Sequence, residues 1–145
     1  MPWDTTDVDT KDYALCGALL DMTAPMQLST EIVAAGIDQN FDRESAAGDA
    51  WAELEDSTIE DRERRGYDGE HPILERTRRL REGASAHREV TASSAEVGPA
   101  EGDRIAAYHL EGTSRMPARD FLVQSDRTED VIEIAILDHL THASG

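Results

Sequence analysis

"IAAYHLEGTSRMPARDFL" (residues 105–122) is the stretch from which the rest of the chain is read. A short apolar run ends at Gly112, a polar turn carrying Arg115 follows, and Met116-Pro117-Ala118 leads through Arg119 and Asp120 into the apolar pair Phe121-Leu122. Pro117 has its φ fixed by the ring and stiffens this connector, while Ala118 permits close approach. The stretch carries no nucleophile elbow, phosphate-cradling glycine pattern or metal-ligand spacing. "RIAAYHLEG" (residues 104–112) fits a strand or a helix, because so short a run has no decisive periodicity. "RDFLVQ" (residues 119–124) predicts a strand. Phe121 and Leu122 are candidate core anchors. Arg115 and Arg119 can each reach a carboxylate on a neighbouring subunit, the alternative being an ordinary loop with a surface arginine.

Working outward, "TEDVIEIAILDHLTHA" (residues 128–143) predicts a closing helix with Thr128 as cap and Glu129 and Asp130 in its first turn. Its apolar residues are too dense for one narrow stripe, which predicts burial on more than one side. "HREVTASSAEVG" (residues 87–98) predicts a strand, or a hairpin with an internal turn. Near the start, Met26, Val33, Ile37 and Phe41 fall at helical spacing behind Thr23 as cap and Pro25 in the first turn, which predicts a helix over 24–43 and then a loop over 44–49. Ser57 or Thr58 opens a short polar helix ending at Gly66, and Pro72 a second one containing Ile73, Leu74 and Leu80. That order gives an α+β fold: a small, mostly antiparallel sheet packed with a long N-terminal helix and a C-terminal helix. A flexible acidic arm over 1–12 precedes a single domain over 13–145.

Charge narrows the setting. The 145 residues hold 31 Asp and Glu against 14 Lys and Arg, for a net charge of −17, and Lys11 is the only lysine. Carboxylates hold water in brine while arginine keeps its pairing ability, so the balance predicts a haloarchaeal type of protein. In molar salt the Debye length falls to about 3 Å, so partners must be held by shape, apolar contact and close ion pairs. Nucleic acid held mainly by charge is disfavoured, leaving DNA contact at most indirect, and so is an anionic membrane surface. With Cys16 as the only cysteine, no intrachain disulfide forms, and a small half-buried residue is expected there. No signal-peptide pattern opens the chain, and no apolar run approaches the roughly 18 residues of a membrane span.

Seven arginines (62, 64, 65, 76, 78, 79 and 81) crowd one window with only four carboxylates among them. That window is internally salt-bridged, a surface facing an acidic neighbouring subunit, or a direct contact to DNA. On the second reading Arg62, Arg65, Arg78 and Arg79 join Arg115, Met116, Pro117 and Arg119 as candidate partner contacts. Metal ligation is not expected: His139 and His142 are three apart without a third ligand, and the aspartates of 1–12 lack the turn glycine and closing glutamate of a calcium loop. His109, in its apolar run, predicts a hydrogen-bonded structural residue. No catalytic residue and no cofactor emerge, and the chain is not expected to be an enzyme.

The whole order of blocks resembles the phage virion-morphogenesis, or tail-completion, family. Its members show a Tyr-Ala and His-containing segment, a glycine, a Met-Pro-Ala-Arg-Pro-Phe-Leu motif and a closing helix. Ala106, His109, Gly112, Met116, Pro117, Ala118, Arg119, Phe121 and Leu122 match, and upstream "WAELEDSTIEDRERRG" and "PILERTRRL" are similar to the family's arginine-rich helix and Pro-Ile-Leu segment. The likeness runs from Trp51, a further candidate core anchor, to Leu140. Arg78 stands where the family usually has glycine, Leu110-Glu111 replaces a Gln-Phe pair, and Asp120 replaces the second proline. The resemblance implies a structural virion protein at the head-to-tail joint of a tailed virus, here one of a halophile. It would assemble in the host cytoplasm as a ring of its own copies, a hexamer or alternatively a dodecamer. Its partners would be connector and tail-terminator or tail-tube proteins in the virion neck. A host binding or regulatory domain without catalytic activity is the alternative.

Self-repulsion among 31 carboxylates grows as screening is removed. Thermal melts should therefore show a lower midpoint at roughly 0.1 M potassium chloride, where the Debye length is about 10 Å, than in molar salt. Equal or greater stability in dilute salt would contradict the halophilic reading.

Overall fold

The computed structural model describes residues 10–144. Along the chain run α1 (Thr10–Leu20), α2 (Thr23–Arg43), β1 (Ser45–Ala46), β2 (Asp49–Ala50), α3 (Asp56–Arg64), α4 (Arg79–Gly83), β3 (His87–Val90), β4 (Ala95–Gly98), α5 (Arg104–Glu111) and α6 (Asp126–Ser144). The class is α+β, but the strands form two separate antiparallel hairpins, β1–β2 and β3–β4, in place of one small sheet. Residues 1–9 of the predicted acidic arm lie outside the described residues, and 10–12 open α1. Cys16, expected to be half-buried, is exposed on that helix.

The long helix predicted over 24–43 is α2, and its buried face includes Ile37, Asn40 and Phe41. The capping acceptor is Asp21, whose Oδ1 takes the Thr23 amide at 3.1 Å and the Thr23 hydroxyl at 2.6 Å, so Thr23 itself is no cap. At the other end Glu44 takes a left-handed φ of 50° and stops the helix. Its carboxylate then accepts the Ile73 amide at 2.8 Å and meets His71 Nδ1 at 2.6 Å. With that amide so committed and Leu74 at a φ of 64°, the helix predicted from Pro72 does not form, and only the short α4 remains. α3 and the β3–β4 hairpin lie where the sequence puts them, and the undecided run over 104–112 is the helix α5, capped by Asp103 through the Ala106 amide at 3.1 Å.

Ile37, Phe41, Trp51, Ile73, Ala84, Ala106 and Phe121 make the core, with Leu122 packed against it from a half-buried position. Phe41 is its centre: Trp51 meets it edge-on at 5.5 Å between centroids, and Phe121 lies at 5.3 Å with the rings tilted. Such aromatic pairs add about 0.5–1.5 kcal/mol each beyond area burial.

"RDFLVQ" is extended but is not a strand. Its backbone partners are side chains. Asn40 Nδ2 donates to the Phe121 carbonyl at 3.0 Å and the Val123 carbonyl at 2.8 Å, while Trp51 Nε1 reaches the Asp120 carbonyl at 3.4 Å. Carbonyls two residues apart point the same way in extended chain, so one buried amide replaces a neighbouring strand. Asn40 Oδ1 also accepts the Ala47 amide at 3.1 Å, tying the β1–β2 turn to the same point.

Ser125, not Thr128, caps α6: its hydroxyl accepts the Thr128 amide at 3.3 Å. The helix packs on α2 and α1, and at Gly36 an added Cβ would run into the Gln124 side chain, so α2 comes close to the entry of α6. Ile132, Ala135, Ile136 and Leu140 are half-buried on its inner side. Val131, Ile134 and Leu137 are exposed, which corrects the expectation of burial on several sides. The region of His139 and His142 is helical to Ser144. Since a carbonyl only accepts, His139 Nε2 donates to the Ala18 and Asp21 carbonyls at 3.3 and 3.1 Å and closes the C-terminal end of α1.

Phe121 has no exposed surface. Truncation in Phe121→Ala should cost about 3–5 kcal/mol, measured by chemical denaturation in molar salt. A loss below about 1 kcal/mol would mean that the ring is not the pillar this packing makes it.

Candidate partner interface

The Met-Pro-Ala-Arg loop is folded back on α5. Gly112 takes a φ of 74°, and a Cβ there would stand 2.8 Å from the Ala118 nitrogen, so the close approach at Ala118 requires glycine opposite it. Thr113 and Met116 close the turn between them, the Thr113 amide reaching the Met116 carbonyl at 2.9 Å. The Arg119 amide then donates to the His109 carbonyl at 2.7 Å.

The Arg119 side chain points inward. Its Nε donates to the Ala52 carbonyl at 2.7 Å and its Nη2 to the Glu53 carbonyl at 2.8 Å, and the residue is only 4% exposed. A contact across a subunit boundary, as the sequence suggested, is not how this guanidinium is used, because two of its nitrogens are committed within the domain. Arg62 repeats the device: buried on α3, it donates to the carbonyls of Gly69 at 3.1 Å and Pro72 at 3.0 Å and closes the intervening loop. Burial lowers the pKa of both arginines, which nonetheless stay charged. Beside Arg119, burial first and the nearby positive charge second push the His109 imidazole below its usual range. Its Nδ1 is sealed from solvent with no hydrogen-bond partner, so His109 is not the satisfied residue expected from the sequence.

The arginine window therefore divides. Arg81 joins Asp38 and Asp42 of α2 at 2.7 Å each and the buried Glu75 at 3.1 Å, its pKa raised first by the Asp38 bond. It also lies 5.9 Å from the Phe41 ring centroid. Exposed Arg65 pairs with Asp61 at 3.0 Å, Arg64 with the same carboxylate at 3.5 Å, and exposed Arg78 with Glu75 at 3.7 Å. Arg76 and Arg79 make no ion pair with any described carboxylate, although Arg76 stands over Tyr67 at 5.6 Å.

Those two arginines open onto a cleft of about 780 Å³ between α3, α4, the start of α5 and the Met-Pro-Ala-Arg loop. Leu54, Leu74, Leu80, Ile105 and Met116 give it an apolar lining, and Pro117 borders it. Arg104 and Arg115 stand on its rim with Arg76 and Arg79, all four exposed and without an ion pair among the described residues. Of the carboxylates there, Asp61 is engaged by Arg64 and Arg65, and Asp103 caps α5, while Glu55 and Glu101 also line the cleft. Of the candidate contacts, Arg79, Arg115, Met116 and Pro117 thus face one surface, on which Arg62 and Arg119 serve as buried struts. Arg65 and Arg78 do not line it. The anchors Trp51 and Phe121 are in the core.

Sequence reasoning held Arg76 only as one of seven clustered arginines, and it missed Arg104 as a rim residue and Asn40 as the central tie. Asn40 had a signal, a polar residue three positions after Ile37 on an apolar face. Only the fold brings Arg104 beside Arg76. One cluster among the described residues could hold a cation: His87, Glu89 and Glu96, all exposed on β3–β4 with ligand atoms within 4.8 Å of one another. No helix among the described residues is long and apolar enough to cross a membrane.

The small α+β domain holds a stiffened loop beside an open, arginine-rimmed cleft. The sequence profile of the phage virion morphogenesis family matches residues 4–141, and the chain belongs to that family. The match reaches well upstream of Trp51, where the resemblance of motifs begins. Neither curated proteins nor solved structures gave a match.

Two arginines on this surface should behave oppositely. Arg119→Ala, which strands two carbonyls, should cost about 2–4 kcal/mol. Arg79→Gln, on the open rim, should change stability by less than about 0.5 kcal/mol. Equal losses in denaturant melts would overturn the distinction between strut and rim.

Proposed function

We propose that the chain is a structural, non-catalytic subunit of the head-to-tail joint of a tailed virus or provirus of a halophile. It assembles in the host cytoplasm as a ring, hexameric or alternatively dodecameric, in the virion neck between connector and tail-terminator or tail-tube proteins. One observation carries this reading beyond family membership. In a chain of net charge −17, four arginines without an ion pair among the described residues stand around one cleft bordered by the Met-Pro-Ala-Arg loop. In an acid-rich chain, unpaired cations gathered beside apolar surface suit an acidic protein neighbour. They suit DNA poorly, because the remaining surface repels phosphate, so contact with the genome is at most indirect. The halophilic setting rests on the acidic composition. A host binding domain would account for the cleft but not for the family.

A virus carrying a stop codon in this gene should accumulate DNA-filled heads and separate tails, and adding the purified protein to the extract should join them. Infectious particles at normal yield without the protein would refute the assignment, and empty heads would place its action earlier.

A further inference from the structure

The molecule carries a second unusual surface, on the opposite side of its helical layer from the core. On α6, Val131, Ile134 and Leu137 are 40%, 64% and 54% exposed and recur every three residues, so they follow one side of the helix. Around them stand the exposed carboxylates Asp130, Glu133 and Asp138, the last beside His142 at 3.3 Å, with the exposed Arg127 one turn ahead of Val131. No residue of α6 lines the arginine-rimmed cleft, so the two surfaces occupy different parts of the same chain.

Their chemistries are complementary. One presents apolar side chains framed by acids, and the other an apolar floor framed by unpaired arginines. We propose that copies of this chain join head to tail, with the outer face of α6 of one copy seated in the cleft of the next. The inference deepens the ring reading above and rests on it. Two different patches on each subunit make a heterologous contact, which generates a closed ring when the rotation between copies closes. Burying Ile134 and Leu137 removes apolar area from water at any salt concentration, and carboxylate–guanidinium contacts at bonding distance outlast the screening that removes longer-range attraction. The rim arginines also exclude wrong registers, since most of the remaining surface would set acid against acid.

The test uses two variants of the full chain in molar potassium chloride, each altered only at exposed positions. Arg79→Glu/Arg104→Glu disables the cleft, and Ile134→Arg/Leu137→Arg disables the helix face. By analytical ultracentrifugation the wild type should form a ring, and each variant should fall to the mass of one chain, 16.0 kDa. An equimolar mixture should rise to twice that mass and stop, because only one productive pairing remains. Circular dichroism melts verify folding, and Arg79→Gln/Arg104→Gln replaces the first variant if the glutamates unfold it. Rings in both variants, or a mixture that stays monomeric, would overturn this interface and leave the ring reading standing. A wild-type chain that never associates would overturn both.

Discussion

The two hydrogen bonds from Arg119 to the carbonyls of Ala52 and Glu53 fix how the last third of the chain meets the middle. They join the segment after β2 to the loop after α5, at a point where neither offers a strand edge. Residues 119 and 121 lie on the same side of an extended chain, so turning Arg119 inward turns Phe121 inward as well. Asp120 faces the other way, and its carboxylate accepts the Leu122 amide at 2.8 Å. Period-two alternation thus survives without a sheet. The loop ahead of Arg119 is then held from both ends, by the strut and by Gly112, and Arg115, Met116 and Pro117 are presented to the cleft as a consequence.

The parts of the fold legible in the sequence are those held by local rules. α2 follows from its apolar spacing, the β3–β4 hairpin from its β-branched residues around a polar turn, and α3 from its polar start and terminal glycine. What was not legible depends on a single distant side chain. "RDFLVQ" reads as a strand because its alternation is real, but Asn40 occupies the place of the partner strand, 81 residues away. Pro72 suits the first turn of a helix, yet Glu44 takes the next amide from 29 residues upstream. The arginines were found as a cluster. Whether each served as strut, bridge or rim could not be read, because that depends on which carbonyls and carboxylates the fold delivers to it.

Departures from the family pattern acquire physical meaning in the same way. Arg78, where the motif resemblance implies glycine, takes a φ of 62°, a backbone region that costs a residue with a Cβ about 1–2 kcal/mol. Its side chain is mostly exposed, and its 3.7 Å approach to Glu75 is too loose to offset that cost fully. Arg81 is better placed for the same carboxylate, so Glu75 does not depend on Arg78. Asp120 makes its own turn, its carboxylate accepting the Leu122 amide at 2.8 Å. Leu110 of α5 lies against the core.

An excess of carboxylates constrains association more tightly than it constrains folding. Within the domain, a few arginines suffice, since Arg81 alone serves three acids and Arg62 and Arg119 use backbone carbonyls that carry no net charge. Such economy leaves cations free to stand without partners. Between two copies of the same chain, a randomly chosen pair of patches brings acid to acid, and dehydrating such a contact costs more than its apolar area returns. Contact is favourable only where positive charge has been kept from internal use and apolar surface lies beneath it. The cleft meets both conditions, and the outer face of α6 has the acids and aliphatic side chains to match. The same acidity therefore narrows the choice of contact between copies, and in high salt, where charge cannot steer from a distance, close geometry can still select one neighbour at touching range.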